Sequence, residues 1–86
     1  MTEKKLIGEI THYFSNISVA VVKLSGTLKE GDTILIEGAT TNFEQEATSM
    51  QVEHNRVEEA NAGQSVGLKV TEKVREGDKV YKIVGE

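Results

Sequence analysis

LKEGDTILIEG, residues Leu28 to Gly38, returns near the other end of the chain as VREGDKVYKIVG, Val74 to Gly85. Both copies run apolar, basic, Glu, Gly, Asp, one free position, then a β-branched apolar residue. In a chain of 86 residues, a pattern used twice is either a ligand-binding element or a folding device. Glycine takes a positive φ at little steric cost, and an acidic or amide residue after it can bond nearby backbone as the next strand begins. Gly31-Asp32, Gly63-Gln64 and Gly77-Asp78 are three such steps, and they read as turns that feed strands. A phosphate-cradling loop needs closely spaced glycines, and its nucleotide-hydrolase form needs Gly-Lys followed by Ser or Thr. Neither occurs, and Asp32 would repel phosphate, so nucleotide binding is not expected.

Valine- and isoleucine-rich segments alternate with clusters of Gly, Asn, Ser and Asp at the short spacing of an all-β barrel or sandwich. LIGEITHYF and ISVAVVKL read as two strands joined by a turn at Ser15 and Asn16, and DTILIEG as a third ended by Gly38. After the loop ATTN, FEQEATSMQVEH reads as one long bent strand or two short ones, with Met50, Val52 and His54 sharing a face. QSVGLKV and KVYKIV complete the set. NRVEEANAG contains helix formers but is too short for an independent helix, and reads as a turn with one helical loop ended by Gly63. No linker divides the chain, so residues 1–86 are expected to form a single domain.

Composition narrows the function. Ten Lys and Arg against fourteen Asp and Glu give a net charge of −4, so the average field repels phosphate and leaves only local basic spots to attract it. With two Tyr, two Phe and no Trp, stacking platforms for single-stranded nucleic acid are scarce. The absence of cysteine excludes disulfides, thiolate nucleophiles and cysteine zinc sites, and fits a reducing cytoplasm. The N-terminal segment has no signal-peptide core, and the longest apolar run is Val19 to Val22; a cytoplasmic protein without a membrane span is expected.

The chemical candidates are weak. His12 and His54 would need a third ligand such as Glu9 or Glu53 to hold zinc, and nothing in their spacing requires it. The serines follow no nucleophile-elbow pattern, and Glu44, Glu46 and Glu53 are spaced as on a solvated strand face. No catalytic residue, metal or cofactor is expected, and the chain reads as a non-enzyme. Lys4-Lys5, Lys73 with Arg75, and Arg56 beside His54 are basic spots interleaved with acid. The tip HYFSNIS sets Tyr13 and Phe14 beside a turn, where an exposed aromatic can anchor a partner while the other ring faces the core.

VAVVKLSGTLKEGDTILIEG, Val19 to Gly38, and SMQVEHNRVEEANAGQSVGL, Ser49 to Leu68, together resemble the second domain of translational GTPases such as elongation factor Tu, and VREGDKVYKIV suits its closing strand. In the second stretch the likeness rests on His54, Val57, Ala60, Gly63 and Val66-Gly67. The resemblance implies a six-stranded antiparallel Greek-key barrel, with few exposed strand edges. These 86 residues carry no GTPase motif, YFSNISV stands in place of the family's Gly-Arg-Gly-Thr-Val loop, and Gln64 replaces the usual Asp. The barrel is also similar to the C-terminal domain of collagenase-like peptidases. Two functions follow: a translation-type binding module touching ribosome, tRNA or other structured RNA, or a module that docks on a larger protein such as a peptidase-like enzyme. The binding residues expected from loop position are Tyr13, Phe14, Asn16, His54 and Arg56.

Overall fold

The computed structural model describes residues 3–53 and 55–84. It is all-β and antiparallel. Six strands have five or more residues: β1 (Glu3–Phe14), β2 (Val19–Leu24), β4 (Thr33–Glu37), β5 (Asn42–Glu46), β9 (Ser65–Lys69) and β10 (Lys79–Val84). Four two-residue strands lie between them: β3 (Leu28–Lys29), β6 (Gln51–Val52), β7 (Asn55–Arg56) and β8 (Glu59–Ala60). Five of the long strands are those the repeats and valine-rich runs predict, and FEQEATSMQVEH divides into the sixth, β5, and the two-residue β6.

The main sheet runs β5-β4-β10-β1-β2-β9-β6-β7, with β3 and β8 paired separately. β10 lies between β1 and β4, and β9 beside β2, so neighbours in space are distant in sequence, as in a Greek-key barrel. β1 is long enough to serve both neighbours, pairing with β10 through its first half and with β2 through its second, with a register shift in each ladder. Such bulges bend a strand and increase its twist, which helps a sheet curl into a barrel.

Strand alternation fills the interior. Ile7, Ile10, Val22, Leu24, Ile34, Ile36, Val66, Leu68 and Val80 are all buried. The two sequence copies and the strand before each match in packing as well: Ala20, Val22, Leu24, Leu28 and Ile34 correspond in order to Val66, Leu68, Val70, Val74 and Val80, and all ten are buried.

The Gly-Asp steps are turns of one geometry. Asp32 N–H donates to Lys29 O at 3.1 Å while Lys29 N–H donates to Asp32 Oδ2 at 2.9 Å. Asp78 and Arg75 repeat this at 3.1 and 2.9 Å, and Gln64 and Asn61 do so at 3.1 and 2.7 Å through the Gln64 amide oxygen. Gly31, Gly63 and Gly77 occupy the third turn position at φ of 94°, 89° and 93°, as a type II turn requires. Each turn also clasps one buried residue of another segment. Ala47, Leu24 and Ile10 each donate an N–H to the carbonyl of the turn's last residue and accept one from its glycine, at 2.7–2.9 Å.

The segment NRVEEANAG contains no helix. Ala60 is fully buried and pairs with Leu28, and Glu59 with Lys29. A tertiary partner supplies strand hydrogen bonds that outweigh the local preference of Glu58 and Glu59 for helix.

Candidate functional site

Strands β2, β9 and β6 lie side by side on one wall, and their outward residues form the floor of a cleft of about 510 Å³. Cross-strand pairing aligns Phe14, Val19 and Lys69 in one row, and Val21, Gly67 and Gln51 in the next. Ile17, Ser49, Glu53 and Ser65 complete the rim. Phe14 is 42% exposed and Ile17 57%, so two large apolar side chains stand in solvent beside half-buried Val19 and Val21.

The floor is a glycine. A Cβ on Gly67 would meet Val19 Cγ1 at 3.7 Å and Gln51 O at 3.8 Å, ordinary contact distances. A Cβ therefore fits there without displacing a neighbour, and a side chain built on it would occupy the cleft. Non-glycine residues with positive φ gather at this wall too: Ser49 at 54° and Glu53 at 53° line it, and Ser18 at 56° lies between lining residues Ile17 and Val19. Such conformations cost on the order of 1–3 kcal/mol each and tend to cluster at binding sites.

Chemically, the cleft offers an apolar patch flanked by hydroxyl and amide groups, with one ammonium, Lys69, and one carboxylate, Glu53. That suits a flat or aliphatic group with hydrogen-bonding edges better than a run of phosphates. Among the described residues, no three His, Asp or Glu side chains gather as metal ligands would.

The residues expected from sequence are dispersed around this wall. Phe14 lines the cleft, with its ring 4.8 Å from that of His12. Tyr13 turns inward and packs against the core. Asn16 is exposed in the β1–β2 turn, outside the lining. Arg56 sits on β7 opposite Gln51, with its guanidinium 3.1 Å from Glu30. His54 lies outside the described residues. Sequence reasoning passed over Val19, Val21, Gln51, Gly67 and Lys69, although VAVV carried a signal: a strand apolar on both faces, where a barrel wall needs only one.

Fold and site together define a small β-barrel bearing an apolar cleft on its outer wall. The chain belongs to the elongation factor Tu domain 2 family, whose model matches residues 19–78. It is 47% identical over 76 residues to an uncharacterized protease of Methanocaldococcus jannaschii, covering 87% of this chain and 19% of that protein. It is also 39% identical over 82 residues to a collagenase of Porphyromonas gingivalis, covering 93% of this chain and 23% of that one. The chain thus spans about a fifth of the length of these curated relatives. In fold it matches the crystal structure of the C-terminal domain of a Geobacillus thermoleovorans U32 peptidase, with a TM-score of 0.85, 22% identity, and 91% of each chain covered. Among the described residues no helix is long and apolar enough to cross a membrane.

Proposed function

We propose that this barrel is a non-catalytic binding module that works with a larger, peptidase-like catalytic body and holds an apolar or aromatic group of that body's substrate in the β2–β9–β6 cleft. The observation that carries this reading is the cleft itself: exposed Phe14 and Ile17 over a floor opened by Gly67, with hydrogen-bonding groups around it. Its likeness to parts of a protease and a collagenase supports a peptide-bearing substrate. Family membership in elongation factor Tu domain 2 favours a second reading, in which the same cleft receives the end of a structured RNA.

Amide chemical-shift mapping separates the two. A collagen-type peptide is expected to shift Val21, Gly67 and Lys69, and Gly67→Val, which suits a strand, is expected to remove the response while leaving the fold intact. If instead a single-stranded RNA oligonucleotide moves these signals, with an affinity that falls steeply as salt rises, the RNA reading replaces the peptide one. If neither ligand moves them, the cleft is not the binding site.

A further inference from the structure

A different wall of the barrel has the anatomy of a protein interface. Leu6 of β1, Tyr81 of β10 and Leu35 of β4 are direct cross-strand partners, so their outward side chains form a continuous apolar row across three strands. Leu6 is 49% exposed and the other two are half-buried. Leu6 also borders a second depression of about 510 Å³, between this row and β2, with room for a projecting side chain.

Two lysines that border the row are matched within the barrel, while Glu44, the partner of Leu35 on β5, ends it with a carboxylate. Lys4 Nζ lies 4.8 Å from the centre of the Tyr81 ring and 3.0 Å from Glu37, while Lys79 is 2.8 Å from Glu9. An apolar centre whose flanking lysines Lys4 and Lys79 are already paired suits a protein surface, whereas a polyphosphate would have to break these pairs and would meet the Glu44 carboxylate. The wall also lies at the start of β1, where Glu3 pairs with Val84. The structural match is to a C-terminal domain, and four-fifths of the curated relatives' length lies outside the matched region. A body preceding the barrel would join it at β1, next to this wall.

We propose that the Leu6–Tyr81–Leu35 wall is the face on which the larger catalytic body docks, leaving the β2–β9–β6 cleft open to its ligand. This rests on the reading of the chain as a module of a peptidase-like protein. The chain's lack of cysteine gives a direct test. Leu6→Cys, Leu35→Cys and Phe14→Cys are made singly in the free chain, and again in the chain fused into the M. jannaschii relative in place of its matching 76 residues. Maleimide labelling rates are read peptide by peptide by mass spectrometry. Docking is expected to slow labelling at Leu6→Cys and Leu35→Cys by at least about tenfold and to leave Phe14→Cys unchanged.

Slowing at Phe14→Cys alone overturns the docking face while leaving the association with a larger body standing. Equal rates at all three positions overturn the docking face and remove the support for that association. The same three variants in the corresponding fusion to the P. gingivalis relative keep the test readable if one fusion does not fold.

Discussion

Gly31 and Gly77 have nothing within 4 Å of where a Cβ would stand, so their positive φ alone decides what an alanine costs. Gly31→Ala and Gly77→Ala are each expected to destabilise by about 1–2 kcal/mol through backbone strain, measured as a shift in urea midpoint at unchanged m-value. Gly38 differs, because a Cβ there would overlap the buried carboxylate of Asp78. Gly38→Ala is expected to cost more than about 2 kcal/mol, and markedly less in an Asp78→Ala background, so the two substitutions should be strongly non-additive. Independent, additive effects would show that the two residues do not constrain each other. The Gly-Asp turns were legible in sequence because every group in them lies within four residues. The approach of Gly38 to Asp78 was not, since it joins segments that only the fold brings together.

At the scale of elements, Gln45 holds the seam between β5 and the end of β9. Its Nε2 donates to Lys69 O at 2.8 Å, and Thr71 N–H donates to its Oε1 at 2.8 Å, so one side-chain amide stands where strand pairing would otherwise run. Gln45→Glu retains the acceptor but sets a carboxylate oxygen against Lys69 O. It is expected to cost about 1–3 kcal/mol and to speed hydrogen exchange at Thr71 relative to Val22. Exchange at Thr71 that stays slow would mean the seam is held by something else. Nothing in FEQEA marks this glutamine, since an alternating strand accepts Gln on either face. The β8 segment shows the same limit: Glu58-Glu59-Ala60 favours helix locally, and its pairing with β3 depends on residues some thirty positions away.

For the whole molecule, chain order and spatial order disagree most where β10 inserts between β1 and β4, so the barrel closes only when residues from opposite ends of the chain meet. That topology predicts folding in milliseconds to seconds, slow for this size, because long loops must close before the central strands pair. Since Glu3 pairs with Val84, a short glycine linker between the ends would turn β10 and β1 into a local hairpin. Opening such a circular chain between Ala39 and Thr40, in the exposed β4–β5 loop, sacrifices chiefly the Gly38 to Thr41 backbone bond. That permutant is expected to melt cooperatively and to refold faster than the original chain. Opening between Glu30 and Gly31 cuts a turn that carries the Lys29–Asp32 bonds and the clasp on Ala47. It is expected to lose cooperative melting by circular dichroism, although the linker is the same. Equal stability of the two permutants would mean that the repeated Gly-Asp turns merely connect strands rather than setting their register.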